Sequence, residues 1–294
     1  MTNYVQDFQL YLQKNKRASA NTVASYMRDV TRFNEFVYAN GVKDISKCSD
    51  KEIENYIESL SREGKSSATI TRAIASLRAF YTYLISKKVI KKNPTKSIKS
   101  EKKKTPLPRI LTSKEVDLFL KQPTCDSLKG FRDRAMLELL YATGIRVSEL
   151  ISLDLKDFNA ELGFIRCGED SSERVIPLYP AAISAVSDYI QSARPLLLSN
   201  NAEKALFVNL NGGRMTRQGF WKIIKYYQKT AKITTDITPH ILRHSFAAHL
   251  IENGADIEVV KEIMGHSDIS STMVYARLIK NNLKANYIKF HPRA

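Results

Sequence analysis

The stretch from Lys87 to Pro108, KKVIKKNPTKSIKSEKKKTPLP, constrains this chain most. Nine lysines and three prolines leave it little apolar periodicity, so it reads as exposed linker and not as core. On either side of it, apolar residues recur at helical spacing. The chain is therefore expected to fold as two units: residues 1–98, a basic linker at 99–108, and residues 109–294. Its length of 294 residues suits two ordinary domains. The linker itself has two compatible readings, a solvated hinge or a strap along a polyanion.

The first unit reads as four helices. Val5, Phe8 and Leu12 share one face. Val23, Tyr26, Val30, Phe33 and Val37 form a second run, closed by Gly41. Ser49-Asp50-Lys51-Glu52 is a capping-box pattern ahead of Ile53, Ile57 and Leu60, and Gly64 ends that run. Ile70, Ile74, Leu77, Tyr81 and Leu84 mark the fourth. The second unit opens on another capping pattern, Thr112 to Glu115, and continues helically to Thr143-Gly144. Residues 163–167 and 174–178 read as two strands around a polar turn, with Leu206-Phe207-Val208 as a third. Helical patterns follow at about 180–192, 216–231, 239–253, 256–264 and 270–277, then a tail with Leu283, Tyr287 and Phe290. The expected fold class is mainly α, with a small antiparallel sheet in the second unit.

Composition narrows the function. Apolar residues make up 43% and charged residues 26%, which permits a packed core. No apolar run approaches a membrane span, and the first residues lack the pattern of a signal peptide. Cys48, Cys125 and Cys167 are odd in number and far apart, against a disulfide framework or a cysteine zinc site. A cytoplasmic protein without metal or cofactor is expected. The net charge is +16 and unevenly placed. Residues 1–105 carry 21 Lys and Arg against 10 Asp and Glu; the rest carries 25 against 20. That balance points to a polyanionic partner, nucleic acid first and an anionic membrane surface second. Arg28, Arg32, Lys65, Arg72 and Arg78 lie on the candidate helices of the basic unit and are candidate DNA contacts; simple solvation is the other reading.

Three segments of the second unit carry possible chemistry. In Thr238-Pro239-His240-Ile241-Leu242-Arg243-His244, proline suits a first helical turn and His240 and Arg243 fall on one face. They can offer donors to one anion, or belong to an ion-paired surface. His240 and His244 are spaced as metal ligands, but the glutamate of a zinc-peptidase helix is missing. In ATGIRVSEL, Arg146 stands in the first turn after Gly144, where free N–H groups favour anions. In Met264-Gly265-His266, the glycine breaks a helix and exposes the histidine; Tyr275 follows, a packing residue by default.

Taken in order, ATGIRVSEL (142–150), ERVIPL (173–178), TPHILRHSFAAHL (238–250) and MGHSDISSTMVYARL (264–278) resemble the tyrosine recombinases of the phage-integrase family, Xer type. The ending His-Pro-Arg-Ala resembles XerD-type chains, and the resemblance covers nearly the whole sequence. It implies a two-domain, C-shaped DNA clamp: a helical core-binding domain, then a catalytic domain ending in a subunit-exchange helix. It implies a site-specific recombinase working through a 3′-phosphotyrosyl intermediate. Tyr275 would be the nucleophile. Arg146 and Arg243 would clamp the phosphate and His266 would donate to it. His240 would assist proton transfer, and Glu149 would stand behind a histidine. The partners implied are a double-stranded recombination site, a paralogous recombinase or further copies of the chain in a tetrameric synapse, and a DNA translocase. The role implied is resolution of chromosome or plasmid dimers, with integration or excision of a mobile element as the alternative.

One position departs from the family pattern. Where the family has a lysine that acts as general acid, this chain has Ser172, in the turn Gly168-Glu169-Asp170-Ser171-Ser172. A lost general acid typically lowers a rate by roughly 10²–10⁴-fold. A slow recombinase, an acid supplied from elsewhere, and a DNA-binding relative with impaired catalysis are the three readings.

Overall fold

The computed structural model describes residues 4–14, 18–98, 109–168, 173–200 and 202–265, with 272, 273 and 275. The linker 99–108, Ser172, His266 and the tail expected from about 280 lie outside the described residues. The chain divides into two compact units, Met1–Thr105 and Pro106–Ala294, the division falling within the expected linker.

The first unit contains α1 (Tyr4–Lys14), α2 (Ala20–Ala39), α3 (Asp50–Arg62) and α4 (Ser67–Ser86). The starts of α2, α3 and α4 have local causes. The Ser19 and Ser66 hydroxyls accept from Thr22 N and Thr69 N. Glu52 reaches back to the Ser49 amide at 2.8 Å, closing the capping box. The predicted apolar stripes meet in one core, with Phe8, Val30, Phe33, Ile53, Leu77, Phe80 and Tyr81 fully buried. Inside the helix pack, Asp29 is buried and accepts from Arg72 through two nitrogens at 2.9 Å and from the Ser76 hydroxyl.

The second unit contains α5 (Ser113–Leu120), α6 (Leu128–Thr143) and α7 (Val147–Ser152). Strands β1 (Phe158–Asn159), β2 (Phe164–Cys167) and β3 (Arg174–Pro177) follow. Then come α8 (Pro180–Asp188), α9 (Arg194–Leu197), α10 (Arg217–Thr230), α11 (Pro239–Glu252) and α12 (Ile257–Met264). A π-helical turn, Tyr189–Ala193, joins α8 to α9. The sheet is antiparallel in the order β1-β2-β3, with Ile165 opposite Ile176 and Cys167 opposite Arg174. The expected third strand at 206–208 is corrected to Phe158–Asn159. Around Leu206-Phe207-Val208 there are only isolated bridges, Asp154 with Ala205 and Val208 with Arg214. Those three residues are fully buried. Their apolarity reports core packing, and one-residue pairings cannot extend into a ladder. Helix α6 is buried on most sides and runs through the middle of this core; its end positions the candidate site.

Candidate active site

Helix α6 stops at Gly144, which has φ +57°, a left-handed conformation that glycine adopts without strain. A Cβ there would also lie 2.2 Å from the Phe246 ring. The buried Ile145 then anchors the chain, and Arg146 becomes the residue that caps α7. The Glu149 carboxylate accepts from the Arg146 amide at 2.6 Å and from its guanidinium at 3.3 Å. With 45% of its side chain exposed, Arg146 can still meet a ligand.

Arg243 comes from α11, whose start is fixed by Pro239 in the first turn and by the Thr238 hydroxyl accepting from Ile241 N. Arg243 is buried. It donates to the carbonyl of Gly144, and to that of Met264 at 2.6 Å. Burial, and then the nearby Arg146 charge, lower its pKa to about 10, so it stays cationic at neutral pH. Two positive groups held this close favour an anion between them.

Arg174, from β3, is a component that the sequence reading did not single out. It grips Glu149 with two parallel hydrogen bonds of 3.1 Å and donates Nε to Ile263 O at 2.8 Å. Burial alone would raise the Glu149 pKa. The Arg174 fork, the Arg146 amide and both cations outweigh it and hold the carboxylate below its ordinary value. Three successive carbonyls at the end of α12 thus each accept from a different arginine: Ile263 from Arg174, Met264 from Arg243 and Gly265 from Arg146. A helix C-terminus carries partial negative charge, so this is where cations settle. Gly265 is itself left-handed, and a Cβ on it would approach the Arg174 guanidinium to 2.8 Å.

Arg146, Arg243 and His240 line one open cleft of about 420 Å³, with Ser148, Arg217 and Trp221. Tyr275 lies outside that lining and is 2% exposed, packed with Phe246, Val260 and Met264. Its Oη is 2.7 Å from Nδ1 of His244. Burial raises the Tyr275 pKa, opposed by the Arg243 charge. Burial, then His240 and Arg243, lower that of His244. The structure therefore brings Arg146, Glu149, His240 and Arg243 together. It puts His244, not His240, in contact with the Tyr275 hydroxyl. The metal-like spacing of two histidines was the only sequence signal for His244. His249 is buried and bonds the Leu111 carbonyl at 2.9 Å and the Tyr141 hydroxyl at 2.8 Å.

In the first unit the candidate DNA contacts are largely engaged within the protein. Arg72 holds Asp29, Arg32 and Lys65 both pair with Glu63, and Arg78 donates to Ile98 O at 3.1 Å. Arg28 is exposed. Among the described residues, no helix is long and apolar enough to cross a membrane.

Comparison with known proteins gives concordant matches. The description "Phage integrase family" fits residues 109–282, and "Phage integrase, N-terminal SAM-like domain" fits residues 5–88. A protein named tyrosine recombinase XerD from Staphylococcus epidermidis is 40% identical over 295 residues, covering 100% of both chains. Another of that name from Oceanobacillus iheyensis is 45% identical over 293 residues, covering 99% of this chain and 98% of the relative. Among solved structures, XerH recombinase on its palindromic difH substrate has a TM-score of 0.76 at 21% identity, over 97% of this chain and 84% of that one. The Tn1549 transposon integrase with transposon-end DNA has a TM-score of 0.76 at 23% identity, over 98% and 99%. With both family descriptions matched in order and full-length identity of 40–45%, the chain belongs to the phage integrase family, as a XerD-like tyrosine recombinase.

Proposed function

We propose that this recombinase cuts and rejoins DNA with Tyr275 as nucleophile and Arg146 and Arg243 as phosphate clamp. The observation that carries the reading is the meeting of both arginines with His240 at one open cleft. A scissile phosphate there offers nonbridging oxygens in place of the Gly265 and Met264 carbonyls that the guanidinium groups now hold. As the Tyr275 Oη–P bond forms, the P–O5′ bond breaks; a 5′-hydroxyl of the partner strand later reverses the exchange. Each preorganised donor to the developing charge is worth about 2.7–4 kcal/mol.

In this reading residues 1–98 form the core-binding domain, 99–108 the linker and 109–294 the catalytic domain. The site is a short, nearly palindromic duplex with one protomer on each half. Four protomers, of this chain alone or with a paralogous recombinase, exchange strands in the cytoplasm and resolve chromosome or plasmid dimers. A DNA translocase fits as activator. The support is full-length similarity to proteins named XerD. A second reading, DNA binding with impaired cleavage, is favoured by one feature, the acidic turn with Ser172 at the lysine position.

The test is a supercoiled plasmid with two candidate sites in direct repeat. Resolution to two circles by the protein, alone or with a paralogue, supports the proposal. Tight site binding without resolution in either setting favours the impaired relative.

A further inference from the structure

Arg146 is the exposed member of the clamp, and a side chain that is 45% exposed is not oriented by packing. Its hydrogen bonds orient it instead. One goes to the Gly265 carbonyl, which a phosphate oxygen would replace, so Glu149 is the partner that remains. That carboxylate is shared. Oε2 accepts from the Arg146 amide at 2.6 Å and from Arg174 at 3.1 Å. Oε1 accepts from the Arg146 guanidinium at 3.3 Å and from Arg174 at 3.1 Å. Each oxygen bridges the two arginines, and the planar Arg174 fork sets the plane of the carboxylate. Arg174 is itself held from a third side. Its Nε donates to Ile263 O at 2.8 Å, its side chain is 10% exposed, and a Cβ on Gly265 would lie 2.8 Å from its guanidinium carbon. Among the described residues, the lining of the cleft does not include Arg174.

Resting on the recombinase reading, we propose that Arg174 is a positioning residue of the phosphate clamp: from β3 it holds the Glu149 carboxylate in the orientation that presents Arg146 to the scissile phosphate. Neutralising a half-buried carboxylate needs only a positive charge. Fixing its plane needs a fork, and a lysine ammonium is a point charge without one. Arg243 requires no such support, because it is buried and already donates to two carbonyls. The effect of Arg174 on cleavage therefore passes through Arg146.

The test uses the full-length protein, in saturating amount, on a nicked duplex carrying a site recovered by binding selection, so that the rate of covalent adduct formation is read apart from binding. Arg174→Met removes the fork and its charge; Arg174→Lys keeps the charge alone. Both are expected to be slower by about 10²-fold, as when a reacting group is misplaced by about 1 Å, with melting and site binding near those of wild type. Added to Arg146→Ala, Arg174→Met should slow the reaction by no more than about 2-fold further, because the residue it serves is already gone; independent effects would multiply. A second readout needs no cleavage. Glu149 faces Arg146 at the start of α7, Arg174 on β3 and Arg243 on α11, and the neighbouring Cys167 thiol on β2 is neutral, pushed up to about 11 by burial. Without the fork, burial is opposed less. The Glu149 carboxyl, below 4.5 in wild type, should then titrate at higher pH in Arg174→Met, followed by carbon-13 NMR of labelled glutamate with Glu149→Gln identifying the signal. Wild-type rates from either variant overturn the proposal, Arg174→Lys by leaving charge as the whole contribution. Multiplying deficits in the double variant overturn it as well, and so does an unmoved Glu149 titration. If Arg174→Met fails to fold, the rate of Arg174→Lys decides. These failures all leave wild-type cleavage intact, whereas a wild type that forms no adduct refutes the recombinase reading itself.

Discussion

Glu149 holds two arginines at once. It takes the Arg174 fork at 3.1 Å and the Arg146 amide at 2.6 Å, while the guanidinium ends of Arg146, Arg174 and Arg243 reach the last carbonyls of α12. Neutralising the carboxylate removes the hub of this arrangement. Its pKa is lower in the folded chain than its ordinary value of 4.5, so its stabilising contribution is complete above that value. The contribution is lost as pH falls through the folded value. Glu149→Gln should therefore flatten the acid limb of stability below about pH 4.5, measured by denaturant unfolding across pH. An unchanged limb would contradict this. Arg243→Ala should lower the rate of covalent adduct formation by about 10²–10³-fold, the typical loss of one preorganised donor, with DNA binding reduced far less. Gly144→Ala combines a left-handed φ of +57° with a Cβ 2.2 Å from Phe246. It should cost about 1–3 kcal/mol in unfolding free energy.

Helix α11 carries His240, Arg243 and His244, so its first turn matters more than its length. Thr238→Ala removes the cap from Ile241 N and should cost about 1 kcal/mol of stability. The helices were legible because their signals are local. The capping box at Ser49 and Glu52, the Thr112 to Glu115 pattern, Pro239, and the left-handed Gly144 each lie where the sequence put a boundary. The third strand was not legible. Phe158-Asn159 is two residues long, too short for any periodicity, whereas Leu206-Phe207-Val208 is apolar for a reason unrelated to pairing. The site divides the same way. Arg146, His240 and Arg243 were legible from motif order. Arg174 and His244 contact partners distant in sequence, Ile263 and Tyr275, and no local pattern records such pairings.

At the scale of the whole molecule, the charge is concentrated in the smaller part, net +11 over residues 1–105 from 21 basic and 10 acidic residues. Part of it is committed internally, with Arg32 and Arg72 facing Glu63 and Asp29. In the sequence of the linker, Lys99, Lys102, Lys103 and Lys104 stand beside one acidic residue, Glu101. Affinity for a duplex site should fall by about 10³-fold or more between 50 and 200 mM salt, as for a protein making at least six phosphate contacts. A flat response would contradict a charge-driven grip. The central claim is that the arginine clamp and Tyr275 cut DNA although Ser172 stands where the family has lysine. Covalent trapping on a nicked site tests it most directly, with wild type, Tyr275→Phe and Ser172→Lys run side by side on a denaturing gel. The account predicts a protein–DNA band from wild type, none from Tyr275→Phe and a stronger one from Ser172→Lys. No band from wild type, with one restored by Ser172→Lys, would contradict it and leave an assembled site that lacks its acid.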